Sequence, residues 1–233
     1  MKQLSKICHQ LYRDYCPDSL KHRHNVSLSK VSDESLLVLL LLQAELGIKS
    51  QRHFHRICQL FPCGRLLERS RFNRRSRQLI WLLQLIRQAM NNQISSDTIA
   101  IVDSFPLPLC QSVRNHRASI FEGLADIGYN ASKHLWFYGF KVHMLVTLSG
   151  HILNYIVTSA SVHDIKVVED LLEGCQQSVI LADLGYLSQA LKDRLKQRGY
   201  HLWTPLRQNM GSASQHNNWR LLAMRRTIET RFS

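Results

Sequence analysis

Two stretches of the sequence decide the fold: IAIVDSFP at residues 99–106 and VILADLGY at residues 179–186. Each begins with a short, continuous apolar run, which is typical of a strand buried on both faces of a sheet. An aspartate follows each run at once, Asp103 in the first and Asp183 in the second. Because ligands of open α/β sheets bind at the carboxyl ends of the strands, the pattern predicts that the two carboxylates face each other there.

The segments around these runs predict the rest of the sheet. Strands are predicted over residues 98–102, 136–147, 151–159, 179–182 and 201–205, with helices over 163–173 and 188–198. A turn at Ser149-Gly150 joins the second and third strands as a hairpin. This order predicts an α/β fold over residues 96–233, an RNase H-like mixed sheet with flanking helices.

Residues 1–95 predict an all-helical N-terminal region that precedes the sheet. Ser32 is the expected N-cap of a helix that stops at Gly47, and Ser50 is the expected cap of the next helix. A third helix is predicted from Ser70 to just before Asn91. This region is predicted to bind DNA because most of the excess positive charge lies in it.

The charge of the chain indicates a polyanionic partner, and nucleic acid above all. Thirty Lys and Arg residues against 17 Asp and Glu give a formal net charge of +13 and an isoelectric point near 9.8. Residues 1–95 carry +10 of this excess. The first two turns of the third helix either contact DNA or form a solvated face. Their cations are Arg71, Arg74, Arg75 and Arg77.

The paired aspartates suit phosphodiester chemistry, in which two divalent ions roughly 3.5–4 Å apart assist the attacking and leaving oxygens. A third carboxylate is expected on a helix beside the strands, where Glu229 fits and Arg225 shares its helical face. Each acid also has a purely structural interpretation, because such groups often bind local amides or solvent. Asp164 is most simply the N-cap of the predicted helix 163–173, or shapes the site without binding metal.

Four motifs spread over the chain carry a resemblance to a known family. They are IVDSFP at residues 101–106, GYN through YGFKVH at 128–143, ADLGY at 182–186 and RRTIETRFS at 225–233. Together they resemble the DDE transposases of bacterial insertion sequences, and specifically the 982 family of insertion sequences. The resemblance implies an enzyme that cuts and joins DNA, its own element ends and a target. It also implies two Mg²⁺ or Mn²⁺ ions held by Asp103, Asp183 and Glu229.

The resemblance implies further roles, and the sequence departs from it in two places. Arg225 would orient or neutralise phosphate, while Lys141 and His143 would lie near the DNA unless they only form the solvated side of their strand. Leu222 stands where the wider group has Tyr, and that group's later Lys would lie beyond Ser233. We therefore expect a C-terminally truncated copy.

Two other functions stay open at this point, a structure-selective nuclease of the same fold and a non-catalytic DNA-binding remnant. Scattered cysteines and an N-terminus without an apolar segment predict a cytoplasmic protein that associates with the nucleoid through DNA. The longest apolar run, Leu36 to Leu42, is too short for a membrane span. A homodimer on DNA is one form that the sequence leaves open.

Overall fold

A computed structural model gives the fold and describes residues 2–60, 65–93, 97–131, 133–226 and 228. The chain divides into two compact units, Met1–Gln93 and Ile94–Ser233. The first unit is helical, and the second is built on a mixed sheet. Within the described residues, no helix is long and apolar enough to span a bilayer.

The helices of the first unit begin and end close to the predicted signals. They are α1 (Lys2–Tyr15), α2 (Asp18–Lys21), α3 (Asp33–Glu45), α4 (Gln51–Leu60) and α5 (Arg69–Gln93). Both predicted caps are confirmed, because Ser32 Oγ accepts from Ser35 N at 3.2 Å and Ser50 Oγ from His53 N at 3.3 Å. Each hydroxyl satisfies an amide that has no partner within its helix. Gly47, just after α3, has a φ of +62°, which glycine adopts at little cost.

A buried ion cluster lies beside the apolar core of this unit. The Asp33 side chain is 1% exposed and accepts hydrogen bonds at Oδ1 from Arg23 at 2.8 Å and from Arg75 at 2.5 Å. Burial alone would raise the pKa of Asp33, but the two guanidinium groups lower it below its usual value. The cluster therefore ties α3 to α5 and to the segment that precedes α3.

The sheet of the second unit has the predicted RNase H-like arrangement. Its described strands are β1 (Ile99–Pro108), β2 (Asp126–Asn130), β3 (Leu135–Thr147), β4 (Ile152–Ser159), β5 (Val179–Leu181) and β6 (His201–Trp203). β1 pairs antiparallel with β3 and parallel with β5, and β5 pairs parallel with β6. β2 and β4 share the other edge of β3, β2 along its first half and β4 along its second.

Two strands differ from the sequence prediction. β1 continues to Pro108 instead of ending at residue 102, because its second half still pairs with β3 beyond the last β5 pair. The sequence does not predict β2, in which Gly128 lies close to the backbone at the end of β4. A Cβ at Gly128 would lie 2.3 Å from the Ala160 carbonyl oxygen, so only glycine allows this approach.

Helices cover both faces of the sheet. On one face, Ala100 and Val102 pack with α6 (Val168–Leu171) and α7 (Gln189–Gln197). On the other face, Ile101 packs with the helix α9 (Trp219–Arg226). Because successive strand residues point to opposite faces, Asp103 belongs to the α9 face and the next residue to the α6 face.

The segments that lead into these helices differ partly from prediction. The predicted helix 163–173 is a 3₁₀ turn at Asp164–Lys166 followed by α6. The predicted helix 188–198 is α7, and its N-cap is Ser188, whose Oγ accepts from Leu191 N. The short helix α8 (Ala213–His216) precedes α9, and its last residue stacks on the Trp203 ring.

Candidate active site

The strand register brings the two predicted aspartates level with each other. The last parallel pair between β1 and β5 is Ile101 with Leu181, and each aspartate stands two residues further on. Since β1 and β5 run in the same direction, Asp103 and Asp183 lie level with each other just beyond the last β1–β5 pair. Asp103 lies within β1 and not at its end, but it stands where β1 loses β5 as a neighbour, so the edge expected from the sequence is present.

Each aspartate side chain is partly fixed by its own backbone. Asp103 Oδ1 accepts from Ser104 N at 2.7 Å, and Asp183 Oδ1 accepts from Leu184 N at 2.7 Å. Such bonds to the next amide are common for aspartates at turns and need no function. The side chains are 17% and 46% exposed respectively, so solvent and ligands reach both carboxylates.

Arg225 links the two carboxylates. Its Nη1 lies 4.0 Å from Asp103 Oδ2 and 3.9 Å from Asp183 Oδ1, and its side chain is only 13% exposed. These distances keep the two carboxylate oxygens within about 8 Å of each other. The residue lies in the last turn of α9, which packs over this face of the sheet. One cation therefore attracts both acids in the described structure.

The third predicted ligand, Glu229, lies outside the described residues. Within the part of the chain that is described, no three His, Cys, Asp or Glu side chains converge as a metal site. The Arg225 guanidinium is nevertheless a single cation that the two carboxylates share. Carboxylate oxygens are the donors that Mg²⁺ and Mn²⁺ prefer, so the donor set of Asp103 and Asp183 fits such ions.

Lys141 and His143 do not lie on a solvated strand face. His143 is fully buried, and its Nε2 lies 3.0 Å from Thr158 Oγ1. The Lys141 side chain is 16% exposed, and its Nζ donates to Asp164 Oδ1 at 2.9 Å. The turn at Asp164–Lys166 covers this face, so the interpretation of it as the solvated side of the strand is wrong.

Asp164 is also not the predicted N-cap. The cap of the turn is His163, whose Nδ1 accepts from Ile165 N at 3.4 Å. Asp164 instead contacts Lys141 and accepts from Ser104 Oγ at 3.3 Å. It therefore lies just beneath the site, on the opposite face of the sheet from Asp103.

Comparison with known proteins identifies the family of the chain. Residues 79–233 match the family model described as a transposase DDE domain, which is more than half of the chain. The chain belongs to the transposase DDE domain family. The match begins within α5 and includes the whole sheet, both aspartates and Arg225.

A solved transposase is also similar to this family member. It is a piggyBac transposase in a synaptic complex with hairpin DNA, with 14% sequence identity and a TM-score of 0.46. The alignment covers 89% of this chain and 52% of that one, so the chain spans about half the length of the solved transposase. No curated protein sequence matches the chain.

The four arginines at the start of α5 divide into two kinds in this transposase-family chain. Arg71, Arg74 and Arg77 are exposed. The Arg75 side chain is only 14% exposed, and it donates to Asp33 and to the Val31 carbonyl oxygen at 2.7 Å. Its guanidinium is held inside the helical unit, so Arg75 has a structural role there, whereas the other three arginines are open to solvent and to DNA.

Sequence reasoning missed a basic cavity in the same unit. Its volume is about 710 Å³, and four cations line it without an acidic neighbour among the lining residues. These cations are Lys2, Lys6, Lys30 and Arg65. The acids of the adjoining α3 turn bind elsewhere, Asp33 to Arg23 and Arg75, and Glu34 to His9 at 3.0 Å. The spacing of Lys2 and Lys6, one helical turn apart, is the only sequence signal for it.

Proposed function

We propose that the chain is a transposase that cleaves DNA at the ends of its element and joins the freed 3′ end to target DNA. The element would be an insertion sequence, and the motifs favour the 982 family among these. Membership in the transposase DDE domain family supports the reaction class. The identity of the element and the use of its ends as substrate are proposed from the motif resemblance.

The observation that carries the proposal is the shared environment of Asp103 and Asp183. Parallel pairing places both at one height, and one guanidinium lies about 4 Å from an oxygen of each. Two like charges repel, so such a pair is unfavourable unless a cation lies between them. The arrangement is favourable when cations are shared between them, and divalent ions provide more charge than one arginine.

Each residue then has a distinct task in the proposed reaction. Asp103 and Asp183 hold the divalent ions, Mg²⁺ or Mn²⁺, and Glu229 completes the ligand set. When bound, such ions activate the attacking oxygen and stabilise the leaving oxygen of a phosphodiester. Arg225 donates to the phosphate and offsets its negative charge, since a guanidinium presents several donors in a fixed plane.

The basic surface of the helical unit would hold the DNA. The cavity lined by Lys2, Lys6, Lys30 and Arg65 offers four positive charges, and the exposed arginines of α5 add three more. Backbone phosphates supply the complementary charge at regular intervals, independent of sequence. Base-specific recognition of element ends would need contacts other than these.

A nicking assay with the full chain tests the proposal. The substrate is labelled duplex carrying the element's terminal sequence, with Mn²⁺ or Mg²⁺ added or chelated. We expect nicking that requires the ion and is abolished by Asp103→Asn, with DNA affinity unchanged. Asp126→Asn is the matched control, because Asp126 also accepts from the next amide at 2.7 Å but lies on β2, away from Arg225.

The outcomes separate the proposal from its two rivals. DNA binding without ion-dependent nicking by the wild-type chain indicates a non-catalytic DNA-binding remnant. Nicking that is equally fast on random duplex indicates a structure-selective nuclease. Nicking that survives Asp103→Asn removes this residue from the site and contradicts the assignment.

A further inference from the structure

A polar cluster lies beneath the site, and the proposed chemistry does not use it. Its members are Ser104, Lys141, His143, Asp164 and Tyr186, and two of them, His143 and Tyr186, are at most 1% exposed. Buried charged and polar groups cost free energy unless they are paired well. A cluster of this kind, next to two candidate metal ligands, is therefore expected to have a function.

Asp164 reaches the segment that carries the first aspartate. Its Oδ2 accepts from Ser104 Oγ at 3.3 Å, and Ser104 is the residue directly after Asp103. Ser104 pairs with His143 in the β1–β3 register, so the contact is made from the α6 face of the sheet. Movement of Asp164 would therefore release one hydrogen bond that holds the side chain of the residue beside Asp103.

The same carboxylate also reaches the segment that carries the second aspartate. Gly185 lies two residues after Asp183, and a Cβ at Gly185 would lie 3.3 Å from Asp164 Oδ2. The turn at Leu184–Tyr186 packs against the turn at Asp164–Lys166. The absence of a side chain at Gly185 thus lets the carboxylate approach this backbone closely.

Tyr186 anchors the turn that follows Asp183. It is 1% exposed, and its backbone N–H donates to the Asp183 carbonyl oxygen at 3.0 Å. This turn packs against the turn that carries Asp164, so the two turns are held together beside the site.

The charge of Asp164 is offset locally. Lys141 Nζ donates to Asp164 Oδ1 at 2.9 Å and to the Val162 carbonyl oxygen at 3.1 Å. The Lys141–Asp164 pair has no net charge, so it adds little to the attraction between the site and divalent ions. What it supplies is a fixed carboxylate that touches both aspartate-bearing segments.

We propose that Asp164, held by Lys141, is a positioning residue that keeps Asp103 and Asp183 at the spacing that divalent ions require. This inference rests on the proposed function, because it assigns Asp164 to the same site. Groups behind metal ligands typically change metal affinity by about 10–100-fold when they are removed. Asp164 acts through Ser104 and Gly185 rather than on the ions, so we expect the lower end of that range.

Calorimetric titration of the full chain with Mn²⁺ tests this directly, without DNA and without turnover. We expect Asp164→Asn to weaken Mn²⁺ binding about 10-fold. Leu195→Ala is the matched control, because Leu195 is fully buried in α7 and its truncation lowers thermal stability while removing no hydrogen bond or ion pair of the polar cluster. Leu195→Ala should bind Mn²⁺ as the wild-type chain does, even though its melting temperature falls.

A second variant keeps the test decisive if Asp164→Asn does not fold. Ser104→Ala removes only the hydroxyl that donates to Asp164, and it should weaken Mn²⁺ binding several-fold. Wild-type affinity in either folded variant overturns the inference, and so does an equal loss in Leu195→Ala. If the wild-type chain binds no Mn²⁺, the proposed function and this inference both fail. If the wild-type chain binds Mn²⁺ and the folded variants bind it equally well, only this inference fails.

Discussion

The two units each contain a cluster of aspartate and arginine, and the clusters are built in opposite ways. In the helical unit, Asp33 lies between Arg23 and Arg75, with oxygen–nitrogen distances of 2.5–2.8 Å and 1% exposure. In the sheet unit, Arg225 lies between Asp103 and Asp183 at about 4 Å from each, and both acids are partly exposed. Taken by themselves, the first three groups sum to +1 and the second three to −1.

The difference teaches which cluster is structural and which is available for chemistry. The contacts of the Asp33 cluster are short and its carboxylate is shielded from solvent, so the carboxylate has no capacity to accept a further cation. The Asp103–Asp183 pair has long contacts to Arg225 and partly exposed carboxylates, so solvent and divalent cations can reach both acids. Changing one member should therefore affect stability in the first cluster and activity in the second.

The largest effect should come from Asp183→Asn. We expect ion-dependent nicking to fall about 10⁴-fold, or about 5 kcal/mol in the barrier, because one ligand of the ions is removed. The melting temperature should stay within about 2 °C, since an exposed acid 4 Å from its partner contributes little to stability. Single-turnover nicking and a melting curve on the same preparation measure both. A large loss of stability with intact nicking would reverse the comparison.

The next effect should come from Asp33→Asn. Removing this charge leaves two buried guanidinium groups without their acid, so we expect the free energy of unfolding to fall by about 3–5 kcal/mol. Urea denaturation measures it. Glu34→Gln is the control, because Glu34 is more exposed and pairs with the exposed His9, so its removal should cost less than about 1 kcal/mol. Equal losses in the two variants would show that the Asp33 cluster contributes no more to stability than the exposed Glu34–His9 pair.

The pH dependence of stability sharpens the same contrast. The folded-state pKa of Asp33 is lowered, so its contribution to stability is present above the unfolded-state pKa of about 4 and is lost as pH falls through the folded value. The helical unit should therefore lose stability below about pH 4, and Asp33→Asn should lose less there than the wild-type chain. Unfolding followed from pH 6 to pH 2 measures it, and identical acid profiles would contradict the assignment.

The smallest expected effect concerns DNA affinity and its salt dependence. Changing Lys2, Lys6, Lys30 and Arg65 together to Gln should reduce the slope of log affinity against log salt by about 0.9 for each phosphate that the variant no longer neutralises. A control with the same loss of charge uses exposed cations outside the cavity, namely Lys133, Lys166, Lys196 and Arg207. Equal slopes in the two variants would mean that the cavity does not bind DNA.

The sequence predicted the parts of the site that depend on local pattern. Two apolar runs ending in Asp103 and Asp183 were sufficient, because the runs pair in parallel from Ile99 with Val179 onward and so bring both aspartates to one edge. The strand β2 was not predictable in this way. Its alternation is only five residues long and has a glycine at its centre, which weakens a strand prediction, and the reason for the glycine is an approach to Ala160, far away in sequence.

The parts that depend on tertiary partners were not predicted. Arg75 is three residues after the buried Phe72 and four before the buried Leu79, so helical periodicity places it on the core face. That signal was present, but its partner Asp33 lies 42 residues earlier, and no local rule pairs them. Likewise, the alternation at Lys141 and His143 identified their common face correctly, but not the turn that covers it.

The most direct test of the central claim is to locate the bound ion. Crystals of the full chain grown with Mn²⁺ would be measured at the manganese absorption edge, where anomalous scattering identifies the metal. We predict a peak within about 2.0–2.6 Å of a carboxylate oxygen of both Asp103 and Asp183, which is the range for divalent ions on oxygen ligands. A peak elsewhere, or none beside these two residues at saturating Mn²⁺, would contradict the account.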